Sequence, residues 1–293
     1  MEKFIEKYPG EIKELVLGPE VKKIGVGGQN TLPFHFFEGR PAKLKLALEI
    51  TDSEPADWTL CLQDLYADVK SSPVAWAKKC VEVFGAEMIF LNLNSMEKDL
   101  PAIEIAAGVK KVAEAVDVPL VVFGLGEKEK DAAVLPVVAA TCSGMNLLIG
   151  PVLKENYQEI APVALEHGHA IIAQIPMDIN LAKDLNIRLS KIFPLDRIVI
   201  DPLTCAAGYG LDYAYSTMER IRLSAIVHDD KTLQSPLIAR VGKEAWKTKE
   251  ATQDADKGIL WEALTAFTLL IAGADIVTLR HPESLQRVRA LVN

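Results

Sequence analysis

Eight times along the 293 residues a short apolar or β-branched run stops at or near a polar side chain, and those stops gather the residue types that could do chemistry. They are Thr51, Asp52, Asn92, Asn94, Gln174, Asp201, Arg240, Arg280 and His281, a set made mostly of amides and isolated charges. Such groups can hydrogen-bond a polar ligand. No lysine ends a strand, which weakens a Schiff-base reading, because that chemistry needs a desolvated amine inside a pocket. Asp52, Asp201 and His281 are potential metal ligands, but capping at strand ends and helix starts explains the same residues, and no metal ion is expected.

Other motifs divide between scaffold and site. His167-Gly168-His169 has metal-like spacing, yet it precedes the fifth strand and so falls on the side of the fold where such residues serve stability. His281 precedes Pro282-Glu283, a helix start, so a capping role competes with ligand contact. Asp178 is placed to cap the helix of DINLAKDLN, whereas Asn180 has no equally simple structural role. The Gly25-Val26-Gly27-Gly28 turn can bring backbone N–H groups to a ligand. Gly208-Tyr209-Gly210 holds an aromatic ring between two glycines in a loop, a better arrangement for reaching a ligand than for filling a core. Trp246, in KEAWKTKEA, either covers the site or packs its own loop.

These residues need strands behind them and helices between. The clearest unit is RIVIDPLTCAAGYGLDYAYSTMERIR: Ile198–Ile200 suits a strand buried on both faces, Asp201-Pro202 ends it, and Tyr215, Met218, Ile221 and Ala225 recur at helical spacing. The same rhythm predicts strands at 44–51, 88–93, 120–123, 146–149, 170–175, 198–200, 236–239 and 276–279, each followed by a helical stretch. Eight βα units in about 250 residues, with no GxGxxG turn after the first, predict an α/β fold of the TIM (β/α)8 barrel type. Residues 44–293 form the barrel in this reading, and 1–43 an N-terminal extension with a hairpin or flap. The site is then the mouth, where the strands end.

Bulk properties narrow the partners. A net charge of -8 without a Lys/Arg cluster argues against nucleic acid or an anionic membrane. The N-terminus carries charges where a signal peptide needs its apolar core, and the most hydrophobic stretch is broken by Glu262 and Asp275, so a cytoplasmic protein is expected. The four cysteines, Cys61, Cys80, Cys142 and Cys205, show no CxxC pair and no cluster spacing.

Four segments carry a family resemblance: VGGQNTLPFHFFEG at 26–39, the DP and GYGLDYAYSTMERIRL run at 201–223, EAWKTKEA at 244–251, and KGILWEALTAFTLLIAGADIVTLRHPE at 257–283. Over essentially its whole length the chain resembles the small (delta) subunits of the corrinoid/iron–sulfur protein of acetyl-CoA decarbonylase/synthase, with Cys205 and Ala206 where some members carry glycines. The resemblance implies a barrel whose mouth covers a cobalamin shared with a large corrinoid/iron–sulfur subunit, the 4Fe–4S cluster lying on that partner. It further implies a methyl carrier of the acetyl-CoA pathway, served transiently by a pterin methyltransferase and acetyl-CoA synthase, with no catalytic residue of its own. Candidate cofactor contacts are Gly27, Gly28, Asn30, Phe34, Asn94, Asn180, Asp201, Tyr209, Arg240 and His281, with the Gly28–Phe34 and Gly208–Tyr213 loops expected at the mouth. Two other readings stand beside it: a pterin-dependent methyltransferase acting in its own barrel, and an enzyme that binds a phosphorylated substrate near Gly242 and Arg280.

Overall fold

The computed structural model describes residues 5–98 and 100–292. Two short strands come first, β1 (Leu15–Leu17) and β2 (Ile24–Val26), paired antiparallel with Leu15 opposite Val26. Eight parallel strands follow: β3 (Lys45–Thr51), β4 (Met88–Asn92), β5 (Leu120–Phe123), β6 (Leu148–Val152), β7 (Ala170–Gln174), β8 (Ile198–Asp201), β9 (Ile238–Ala239) and β10 (Ile276–Leu279). Their order is β8-β7-β6-β5-β4-β3-β10-β9. A bridge from Ile200 to Leu237, with the Ile200 N–H donating to the Pro236 carbonyl at 2.9 Å, brings the two ends of that order together. The result is the eight-stranded α/β barrel that the repeat predicts.

Each strand alternates between the barrel interior and the helical layer. Ala47, Met88, Phe90, Val121, Phe123, Leu148, Ala170, Ile172, Val199, Ile238 and Ile276 pack in one interior cluster, which Leu15, Leu17 and Val26 of the hairpin join. The alternate residues, such as Leu48, Ile50, Ile89, Leu91 and Ile149, face outward, against helix residues including Trp76, Leu135, Ile160 and Leu269. Helix boundaries follow local signals. Pro73 opens the helix Pro73–Glu82 behind a Ser72 cap, and Gly273, at φ 112°, ends the apolar helix Ala255–Ala272. No helix among the described residues is long and apolar enough to cross a membrane.

The hairpin overturns one expectation. Its backbone bonds go to residues that precede strands: Gly18 N–H to the Asn146 carbonyl before β6, and Lys13 N–H to the Gln234 carbonyl before β9. Gln29 Nε2 donates at 2.6 Å to Asp275, just before β10. The extension therefore plugs the barrel at its N-terminal end, opposite the mouth. Interior apolar residues at that end would otherwise meet water, and Leu15, Leu17 and Val26 cover them.

Candidate functional site: the barrel mouth

The mouth is floored by side chains from seven of the eight barrel strands or the residues directly after them. Glu49, two residues after inward-facing Ala47 on β3, is fully buried and accepts from Arg280 Nε at 2.9 Å and Thr278 Oγ1 at 2.5 Å. Burial pushes this carboxyl up, but Arg280, Arg240 and the Thr278 hydroxyl outweigh it, leaving it below its ordinary value. Arg280 also lies over the Trp58 ring, 4.5 Å from its centroid. Its place is fixed on several sides.

Arg240, at the end of β9, stacks over Phe123 at 3.8 Å and donates to Asn92 Oδ1 at 3.0 Å. Its Nε is buried without a partner among the described residues. Asp201, at the end of β8, is fully buried and accepts from Gln174 Nε2 at 2.8 Å and from the Leu203 N–H at 2.9 Å. Burial raises the Asp201 carboxyl above its usual range, against the pull of Arg240 and these two donors. Leu203 itself holds φ 65°, a left-handed conformation rare for a branched side chain, and the next residue, Thr204, accepts the Arg240 N–H at 2.9 Å.

Two recesses open on this floor. The larger, about 580 Å³, is lined by Thr51, Asn92, Asn94, Arg240, Lys243 and Arg280 among others. A smaller one of about 300 Å³ lies between Phe123, Gln174, Met177, Asp201, Arg240 and Lys243. Mouth loops are held from below: Asp52 accepts from the Ser95 N–H at 2.8 Å, and Asp131 from the N–H groups of Leu125 and Gly126, both at 2.9 Å. Burial raises both carboxyls, that of Asp131 to about 6.

Of the ten candidate contacts, Asn94, Asp201 and Arg240 line these recesses. Asn180 is exposed in the first turn of the helix Ile179–Leu189, where its N–H donates to Asp178. Tyr209 is half-exposed in the loop after β8, donating to Glu250 at 2.9 Å and accepting from the Lys249 N–H at 3.1 Å. His281 sits at the mouth edge, stacked on Trp246 with ring centroids 6.0 Å apart, and its Nδ1 accepts the Glu283 N–H. Burial lowers its pKa.

Gly27, Gly28, Asn30 and Phe34 are not at the mouth, which corrects the expected position of that loop. Gly27, at φ 79°, lies where a Cβ would come within 2.5 Å of the Lys13 carbonyl, so the glycine serves close packing of the extension on itself. Asn30 Oδ1 accepts the Arg40 N–H, and Phe34 packs edge-on against Phe267 near the end of Ala255–Ala272. All four belong to the plugged end.

Three mouth residues escaped the sequence reading. Glu49 sits within a strand, although period-two alternation from Ala47 marks it as inward-facing. Lys243 lies in the short helix Val241–Ala245 and lines both recesses. Glu262, in the middle of Ala255–Ala272, is buried and accepts the backbone N–H groups of Arg280 and His281, and burial raises its carboxyl to about 7. Trp246, only 2% exposed, packs against Gly258, where any Cβ would strike its ring.

Solved barrels show the same architecture. Dihydropteroate synthase from Xanthomonas albilineans, bound to 4-aminobenzoic acid, matches with a TM-score of 0.62 at 11% identity, covering 94% of this chain and 96% of that one. The Thermus thermophilus dihydropteroate synthase matches with a TM-score of 0.56 at 14% identity, covering 94% and 98%. Identity this low speaks to the fold alone. Sequence relatives are much nearer. Acetyl-CoA decarbonylase/synthase complex subunit delta 1 of Methanosarcina thermophila is 36% identical, over 96% of this chain and 70% of its own length. Subunit delta of the same complex from Archaeoglobus fulgidus is 34% identical, over 100% and 70%. The model of the CO dehydrogenase/acetyl-CoA synthase delta subunit family matches residues 14–291, from the hairpin that plugs the barrel to the last helix, so the chain belongs to that family.

Proposed function

We propose that this chain is the small subunit of a corrinoid/iron–sulfur methyl carrier in the acetyl-CoA pathway, its mouth covering one face of a cobalamin held by a larger partner. The observation that carries the reading is a floor of buried amide and guanidinium groups surrounded by exposed apolar side chains. Leu60, Ile103, Leu181 and Tyr213 are exposed near the starts of the helices Leu60–Leu65, Ala102–Ala115, Ile179–Leu189 and Leu211–Ile226. A helix that follows a parallel strand starts at the mouth, so these residues ring it. An exposed apolar ring suits a protein partner.

The mouth fits a corrinoid in the role assigned to it. A corrin carries acetamide and propionamide arms, and Asn94, Gln174 and Arg240, whose Nε lacks a partner, supply hydrogen-bonding groups for them. When bound, the corrinoid supplies the cobalt centre that takes and releases the methyl group. The chain orients the ring edge through its amides and excludes water through its rim. The 4Fe–4S cluster lies on the large subunit in this reading, and a pterin methyltransferase and acetyl-CoA synthase are transient partners.

Expression alone and with the large subunit tests this. The isolated chain should be folded and colourless, gaining corrinoid only in the pair; a brown isolated chain with about four irons would overturn the assignment. Hydrogen exchange should show protection of Gly208–Tyr213 and the start of Leu60–Leu65 on pairing. A second reading, a pterin site in the barrel itself, is favoured by the 300 Å³ recess with its buried Asp201 and half-buried Gln174 and Arg240. Saturable binding of methyltetrahydrofolate by the isolated chain would favour it.

A further inference from the structure

Three cations meet on the mouth floor, Arg280 buried and Arg240 and Lys243 partly so, and only Arg280 is committed to a carboxylate. Arg280 is paired with Glu49 at 2.9 Å, whereas no described carboxylate oxygen lies within 4.0 Å of a terminal nitrogen of Arg240 or Lys243. Asp201 and Glu49 attract Arg240 from beyond contact, and both already hold other donors. Lys243 makes no side-chain hydrogen bond among the described residues. Burial, then the nearby Arg240 and Lys247, pushes its ammonium below the ordinary value. A partly buried cation without a carboxylate against it is costly, and Arg240 and Lys243 both line both recesses. The strained Leu203 borders the smaller one.

We propose that Arg240 and Lys243 form an oxyanion subsite on the mouth floor, which takes the carboxylate or phosphate group of a small ligand. This goes beyond the corrinoid reading, because amide arms need no charge to meet them. It also differs from a phosphate site between Gly242 and Arg280: a Cβ on Gly242 would come within 2.8 Å of Arg280, so there is no room between them, and Arg280 is bound to Glu49. The acids of the larger recess, Glu54, Asp57, Glu97 and Glu127, are exposed on its rim, and Glu244 pairs with Lys247. Asp201 also lines the smaller recess but is turned to Gln174 and the Leu203 N–H, so an anion is favoured on the Arg240–Lys243 side of the floor and not at the rim.

The Met177 methyl group lines the smaller recess and reports on it by NMR. Titration of the isolated chain with inorganic phosphate, and separately with acetate, at fixed ionic strength should shift that signal saturably; the tighter arm names the group. Lys243→Gln should weaken the tighter anion roughly tenfold, since a charge-assisted hydrogen bond is lost, and Lys243→Arg should restore it. Lys243 has no side-chain partner to lose among the described residues, so an unchanged melting temperature in Lys243→Gln shows that the fold is intact. A shift that never saturates, or equal affinity in Lys243→Gln and the parent protein, overturns the proposal.

Discussion

Outside the buried Glu49–Arg280 pair at the mouth, the two ends of the barrel treat buried charge in opposite ways. At the plugged end Asp275 accepts from Arg222 at 2.6 Å, from Gln29 at 2.6 Å and from the Leu237 N–H at 2.7 Å, tying extension, helix and strand to one carboxylate. His169 there uses both ring nitrogens: Nδ1 accepts the Leu147 N–H, so Nε2 carries the proton and donates to the Ala139 carbonyl. At the mouth, burial raises the carboxyls of Asp52, Asp131, Asp201 and Glu262, and Lys243 stands without a partner. One end uses its charges to hold the fold. The other keeps charges that folding alone would not favour, the pattern expected where a ligand completes the environment.

The largest effect should come from breaking the plugged end. Asp275→Ala leaves Arg222, 1% exposed at its side chain, as a buried charge without its carboxylate, and should cost roughly 3–5 kcal/mol in urea unfolding. Whatever protein remains folded should still bind partner and corrinoid. A loss below about 1 kcal/mol would mean that the Arg222–Asp275 pair does not anchor this end.

Acid titration sharpens the contrast, because the two ends contribute with opposite sign. The folded pKa of His169 is lowered by burial to about 4, from an ordinary 6.5, so the unfolded chain takes up its proton first. Its contribution is full above pH 6.5 and drains as pH falls toward 4, by roughly 3 kcal/mol in all. Glu262 is raised by burial to about 7 from 4.5, so the folded state holds a proton that the unfolded state releases. Its contribution is full below pH 4.5 and is lost as pH rises through 7, by a similar amount of roughly 3 kcal/mol. The two nearly cancel between pH 4.5 and 6.5 in the parent protein. Relative to it, His169→Gln should gain stability toward acid and Glu262→Gln should lose it, measured as urea midpoints from pH 4 to 7. Parallel curves for both variants would contradict these assignments.

The barrel was legible because its signals are local. A β-branched run, a polar stop and a helical stripe recur within each unit, and all eight strands overlap the runs that rhythm marks, the fourth displaced to Leu148–Val152 from the expected 146–149. Asp201 and Arg240 were visible for the same reason, as the polar ends of strands. What the rhythm does not encode is the end of the barrel that an extension crosses. Gln29 meets Asp275 across 246 residues of sequence, and nothing near Gly27 signals that contact, so the expectation that puts Gly27, Gly28, Asn30 and Phe34 at the mouth names the wrong end of the barrel. Glu49 was missed differently. Its inward direction follows from alternation, but a carboxylate within a strand reads as an interruption until Thr278 and Arg280 arrive from the far end of the chain.

The smallest stability effect belongs to the mouth and separates its two neighbouring tyrosines. Tyr209 is 48% exposed, and its hydroxyl is fixed by Glu250 and the Lys249 N–H, so the ring is held by loop contacts and not by a core. Tyr209→Ala should therefore melt within about 1 kcal/mol of the parent protein while releasing corrinoid or partner more readily. Tyr215, four residues into the helix Leu211–Ile226, is only partly buried, beside fully buried Met218 and Ile221. Its loss removes part of a ring contact and leaves no closed cavity, so Tyr215→Ala should cost about 1–2 kcal/mol, less than the 3–5 of a buried aromatic, and leave retention unchanged. Melting curves with corrinoid retention in the assembled pair distinguish the two. If Tyr209→Ala is the less stable variant and keeps its corrinoid, the loop belongs to the scaffold, and the division between a stabilising end and a binding end fails at that residue.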